Sequence, residues 1–151
     1  MPGVTVRITG LREAVGKLQG APKRLEGEIG RALYQFAEDV MTESKLRVPV
    51  LTGTLMSTGH VDPPKTEGGK VVVDMGYGGP AAPYALYVHE ALEGARPPNP
   101  NWSWYKKVAR GGQISWTRPG SGPKFLENPM KEKSDQLPGR VRDAVMRALK
   151  P

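Results

Sequence analysis

The chain has 151 residues, no cysteine and a formal net charge of +7, from 22 basic and 15 acidic side chains. That length supports one domain with its own core, and the lack of thiols excludes disulfides, thiolate metal sites and a cysteine nucleophile. No apolar run approaches the roughly 20 residues of a membrane helix, and Met1-Pro2-Gly3-Val4 lacks the layout of an export signal, so a protein assembled in a reducing cytoplasm is expected.

The chain opens with Val4, Val6 and Ile8 alternating with Thr5, Arg7 and Thr9, the period-two pattern of a half-buried strand. Gly10 ends it, and Leu11 to Gln19 fits a short helix. Gly20-Ala21-Pro22 breaks the chain and puts proline where a new helix can start. Leu25, Ile29, Leu33, Phe36, Val40 and Ser44 then recur at steps of three and four, predicting a helix of about six turns to Arg47. Arg24, Glu28, Arg31, Gln35 and Glu38 take its other side. The stripe is read as core.

Pro49 has no amide to donate and pushes Val48 out of the helical region, so the helix must stop there. Thr52-Gly53-Thr54 then suits a sharp reversal. Two strands are expected next, Leu55 to Val61 and Lys70 to Tyr77, joined antiparallel through residues 62–69. In the second, Val71, Val73, Met75 and Tyr77 share a face. Gly78-Gly79-Pro80 breaks the chain again, and Tyr84 and Tyr87 follow at helical spacing, fit for core or subunit packing.

From Gly94 to Leu126 there is no acidic residue, whereas Arg96, Lys106, Lys107, Arg110, Arg118 and Lys124 are basic, so the positive excess belongs to one segment. The same segment holds all three tryptophans, Trp102, Trp104 and Trp116. Gln113 to Arg118 alternates like a strand. Otherwise the segment's glycines and prolines argue for an extended arm, and an arm of this length is usually functional. Tryptophans interleaved with lysines could stack on single-stranded bases. They are equally the residues of a protein interface, which is the reading favoured here. A last helical stripe runs Leu126, Met130, Leu137, Val141, Val145 and Leu149, with Asn128-Pro129 as cap and first position. Pro138-Gly139 should kink or divide it.

Chemical motifs are few. There is no phosphate-binding loop, no dinucleotide fingerprint and no nucleophile elbow. His60 and His89 are far apart in sequence, and His89-Glu90 reads as a hydrogen-bonded pair rather than an acid-base or metal site, with Asp62 and Asp74 only distant candidates for a third group. The residues alone therefore predict an α+β domain: a long N-terminal helix on a small antiparallel sheet, a kinked C-terminal helix and a long basic arm.

Three blocks carry a resemblance. Lys45 with Val48-Pro49-Val50 and Thr52-Gly53-Thr54-Leu55 is one, Pro83-Tyr84-Ala85-Leu86-Tyr87-Val88-His89-Glu90 the second, and Lys124-Phe125-Leu126-Glu127-Asn128-Pro129 the third. Together and in this order they resemble the HK97 gp10-like family of tailed-phage head-tail joining, neck and tail-completion (minor tail) proteins. Leu51 stands where that family usually has an acid, and the arm from Ala95 to Gly122 is longer than the family's usual few residues. The resemblance implies a non-enzymatic virion protein without cofactor or metal, forming a homo-oligomeric ring of six subunits between the connector and the tail tube. In such a ring Tyr84, Tyr87, Arg96, Trp102, Trp104, Lys106, Lys107, Arg110, Trp116 and Arg118 would serve subunit or ring contacts. Val48, Pro49, Thr52, Gly53, Leu55, Glu90, Phe125 and Leu126 would be the structural residues of the motif. Neighbouring rings are the implied partners, with DNA in the channel as a transient one and no membrane. Two other classes are kept: a nucleic-acid-binding module built on the basic arm, and a small hydrolase using His89 and Glu90.

Overall fold

A computed structural model describes residues 3–9, 23–50, 53–90, 109–110, 113–114 and 120–150. The fold is α+β. Strand β1 (Val4–Thr9) and helix α1 (Lys23–Arg47) form as their periodicities predict, and α1 buries Leu25, Ile29, Leu33, Phe36, Val40 and Ser44. The predicted helix from Leu11 to Gln19 lies outside the described residues.

The stretch after Pro49 differs from the expected strand. Gly53 has φ of 83°, the left-handed region glycine enters without a steric penalty, and from it a short helix α2 (Thr54–Ser57) turns. Ser57 Oγ donates to the Thr54 carbonyl and Thr58 Oγ1 to the Leu55 carbonyl, both at 2.7 Å, and these local bonds hold the chain in a turn. Extended structure starts only at β2 (His60–Val61).

Nor is residues 62–69 a plain connection. It contains β3 (Lys65–Glu67), which with Gly68 and Gly69 forms a tight hairpin into β4 (Lys70–Tyr77). Both β2 and β3 pair antiparallel with the same side of β4, Val61 opposite Met75 and Lys65 opposite Val72. The outer chain therefore has one residue more than β4 between those points. Asp62 still donates its amide to Asp74 O at 2.7 Å, but Pro63 and Pro64 have none to give, so the ladder bulges there. The bulge leans on the helix: a β-carbon on Gly30 of α1 would stand 3.0 Å from Pro64 Cβ, which accounts for a glycine in mid-helix. On the other side β4 pairs with the whole length of β1, Val4 opposite Tyr77 through Thr9 opposite Val72.

The core lies between α1 and the face of β4 formed by Val71, Val73, Met75 and Tyr77, with Val4 and Ile8 of β1 beside them. The other face of β4 holds Asp74, 7% exposed, in a charged network. Arg7 grips its carboxylate with two bonds of 2.7 and 2.9 Å, Lys65 reaches it at 3.0 Å, and Glu67 pairs with both cations. The bonds from Arg7, and after them those from Lys65, hold the Asp74 carboxyl below its ordinary range despite burial.

After β4 comes helix α3 (Ala85–Glu90), then the described pair β5 (Ala109–Arg110) and β6 (Gln113–Ile114), which are antiparallel to each other. Ser115 to Arg118, the rest of the strand expected there, lies outside the described residues. The C-terminal stripe divides, as Pro138-Gly139 predicts, into α4 (Glu127–Lys133), a 3-10 turn (Ser134–Gln136) and α5 (Leu137–Leu149). Pro138 sits in the first turn of α5, where an amide would have no helical partner anyway. Helix α4 begins earlier than expected: Asn128 does not cap it, Leu126 holds the cap position without a side-chain bond, and Pro129 is buried inside the first turn. Helix α5 runs antiparallel along α1, Arg140 bonding Asp39 at 2.6 Å and lying 5.7 Å from the Phe36 ring centroid, with Arg147 approaching Glu28 at 3.4 Å. Leu149 is 67% exposed, against the expected stripe. Val145 of that stripe still packs against the core, but steps of four overshoot the 3.6-residue turn by roughly 40° each, so the face drifts and Ala144 and Ala148 take its place beside Val141.

Candidate functional site

The three blocks behind the resemblance are remote in sequence and meet at one junction. It starts at the end of α1. Val48 is fully buried and its amide still bonds Ser44 O at 2.8 Å, so the helix closes before Pro49 forbids another turn. One turn back, the buried Ser44 Oγ lies 2.9 Å from Tyr77 Oη at the end of β4. Burial pushes the Tyr77 phenol up to about 12, against the smaller opposing effect of the Ser44 bond, so the hydroxyl stays neutral.

Tyr77 packs edge-on against Phe125 with ring centroids 5.1 Å apart, and Phe125 packs edge-on against His89 at 4.9 Å. The third block is thus wedged between the end of α1 and the end of α3, with Phe125 and Leu126 both buried. His89 is 3% exposed and both its ring nitrogens are engaged. The Glu127 amide donates to Nε2 at 3.3 Å, which makes Nε2 the acceptor and leaves the proton on Nδ1, 2.7 Å from Glu90 Oε1. An imidazole bound in this way caps α4 and has no free lone pair for a substrate or metal.

Lys124 closes the junction. Its φ of 57° is left-handed, rare for a lysine, and its amide donates to the His89 carbonyl at 2.7 Å. Its ammonium bonds Glu90 and reaches Glu127 at 2.9 Å, while Lys131 also bonds Glu127. Lys124, then His89, hold the Glu90 carboxyl below its ordinary range, and Lys131 and Lys124 lower that of Glu127 to about 2. A second clasp lies alongside: the Gly122 amide donates to Arg47 O at 3.1 Å, and the Arg47 guanidinium bonds Glu43 and Glu132 at 2.6–3.0 Å. The chain that leaves at Glu90 therefore returns, at Lys124, to within hydrogen-bonding distance of its point of departure, having bonded the end of α1 at Gly122.

Of the residues singled out in the sequence, Val48, Leu55, Phe125 and Leu126 are buried, Pro49 and Gly53 border the corner, and Glu90 bonds His89 and Lys124. Tyr84 and Tyr87 are half-buried, with Tyr84 packed against the core. Arg110 sits in β5 opposite Gln113. Thr52, Arg96, Trp102, Trp104, Lys106, Lys107, Trp116 and Arg118 lie outside the described residues. Sequence reasoning missed Tyr77 and Arg47 as parts of the junction. Ser44, a hydroxyl in an apolar stripe, was the available signal that something polar faced it. His60 stands apart, its Nδ1 2.8 Å from Thr58 O, and among the described residues no group of three or more His, Asp or Glu is placed to hold a metal. A shallow groove between α1 and α5 is lined by Ala32, Gln35, Arg140, Asp143 and Arg147. Among the described residues no helix is long and apolar enough to cross a membrane. Compared with known proteins, the chain matches no family, no curated protein and no solved structure.

Proposed function

We propose that this chain is a non-enzymatic structural protein of a tailed-phage virion, one subunit of a ring at the head-tail joint. The observation that supports the reading is the junction itself. Of the blocks through which the sequence resembles the HK97 gp10-like family, the second and third touch directly, Phe125 on His89 and Lys124 on Glu90, and the first adjoins them in the core through the neighbouring Ser44 and Tyr77. A motif that builds a scaffold rather than a reaction centre fits an assembly protein. The scaffold in turn pinches together the two ends of the basic, tryptophan-rich segment. That segment has no acid of its own to neutralise Arg96, Lys106, Lys107, Arg110 and Arg118, so its natural contacts are acidic surfaces of neighbouring subunits or rings.

The test is to replace residues 95–121 by a short Gly-Ser link, which the clasped ends at Glu90 and Lys124 can accommodate. The shortened protein should fold with little loss of stability, while heads and tails fail to join. Unfolding of that variant, or infectious particles assembled with it, would overturn the role given to the arm. Peptide mass spectrometry of purified particles tests the wider reading, since a chain absent from them is no virion component. The composition of the arm also favours a second reading, binding to nucleic acid. Steeply salt-dependent DNA binding that Trp102→Ala and Trp104→Ala weaken would select it.

A further inference from the structure

The buried His89 occupies an arrangement that tolerates only one protonation state. As a neutral ring it accepts from the Glu127 amide at Nε2 and donates a hydrogen bond from Nδ1–H to Glu90. A second proton would go on Nε2 and turn an acceptor into a donor, facing an amide that is also a donor. The ring is too buried for water to step between them. We infer that His89 is a proton-sensitive latch: neutral, it caps α4 and keeps the third block docked on α3, and protonated, it releases the start of α4.

The groups around the ring set the balance. Glu90 on its own helix lies at 2.7 Å from Nδ1 and is the negative charge that would face an imidazolium. Lys124 of the returning chain competes for the same carboxylate and opposes it. Glu127 on α4, shared between Lys124 and Lys131, offers a carboxylate near the freed Nε2–H once the amide has moved away. Across Phe125 stands Tyr77 of β4, neutral throughout. At the other end of α4, Arg47 of α1 holds Glu132 while also pairing with Glu43, an anchor that does not involve the imidazole, so release is confined to the beginning of the helix. The inference does not depend on a role in head-tail joining. What it governs is whether the two ends of the basic segment stay clasped.

Amide hydrogen exchange on the intact protein tests it. On acidification from about pH 8 to about pH 5.5, and after correction for intrinsic rates, protection of the Glu127 amide should fall about tenfold relative to Val73 in the core, the equivalent of one net hydrogen bond. The fall should follow the pH at which the His89 ring nitrogens change their 15N shifts. Glu90→Gln should move both changes to lower pH, and His89→Gln, whose side-chain carbonyl accepts at any pH, should remove the dependence. Parallel exchange of Glu127 and Val73 over the whole range would overturn the latch. So would an unaltered pH response in His89→Gln, or a His89 titration at a different pH from the loss of protection. If His89→Gln does not fold, the agreement of 15N shift and exchange in the unmodified protein decides.

Discussion

Ser44 and Tyr77 show how one hydroxyl pair ties two elements together. Both are buried, and each satisfies the other at 2.9 Å. Ser44→Ala leaves the phenol without that partner in the core and should cost about 1–3 kcal/mol. Adding Tyr77→Phe removes the orphaned group as well, so the double variant should regain part of the loss, and denaturant melts of the four proteins measure that coupling. Glycines give a second residue-scale contrast. A β-carbon on Gly76 would lie 2.4 Å from the Val4 carbonyl oxygen, a backbone atom of the paired strand that cannot rotate away. At Gly53 the space is open and the only penalty is the left-handed backbone, φ 83°. Gly53→Ala should therefore cost about 1–2 kcal/mol. Gly76→Ala should cost more and weaken amide protection along β1, a pattern that Gly53→Ala should lack.

At the scale of elements, α1 is the piece on which the rest depends. It packs against β4 on one side and along α5 on another, which explains why its buried face is wider than a single apolar stripe. Leu33 is fully buried at the centre of that face, and Leu33→Ala should cost about 2–5 kcal/mol in a denaturant melt. Stability equal to the parent's would show that this face is not packed as described. On the opposite face of the sheet, Asp74 connects β4 to β1 through Arg7 and to β3 through Lys65. Because its folded pKa lies below the ordinary 3.8, its contribution is fully present above that value and is lost as the pH falls through the lower, folded one. Asp74→Asn should lower stability near neutral pH by about 1.5–3 kcal/mol, the range for hydrogen bonds to charged groups. The deficit should shrink in acid melts below about pH 4, where the parent loses the same charge. A deficit that stays constant down to pH 2 would mean that packing, not the carboxylate charge, is what the substitution disturbs.

For the molecule as a whole, composition and placement agree. The described body pairs most of its charges internally: Arg7 with Asp74, Arg47 with Glu43 and Glu132, Arg140 with Asp39 and Lys124 with Glu90. The net charge of +7 is thus carried largely by a segment with no acid, attached to a balanced body by a closed clasp. That division is what makes arm replacement a fair test of assembly, since the described body already holds many of its charges in pairs of its own.

How much of this was legible beforehand follows from the range of each interaction. Periodicity determined α1, β1, β4 and the divided C-terminal helix, because a helix or strand that buries one face must repeat apolar residues at its own spacing. Pro49 determined the end of α1 for the equally local reason that it lacks a donor and crowds Val48. The helical turn at Thr54–Ser57 was not legible, since Ser57 and Thr58 favour a turn only when Gly53 has already reversed the chain. The bulge at Pro63-Pro64 and the capping of α4 by a histidine 38 positions away were decided by tertiary structure alone. The sequence by itself specified which segments have a buried side. Which buried sides face one another, and so the meeting of Ser44, Tyr77, Phe125 and His89, arises only when the chain closes on itself, because contacts between distant residues leave no spacing to read.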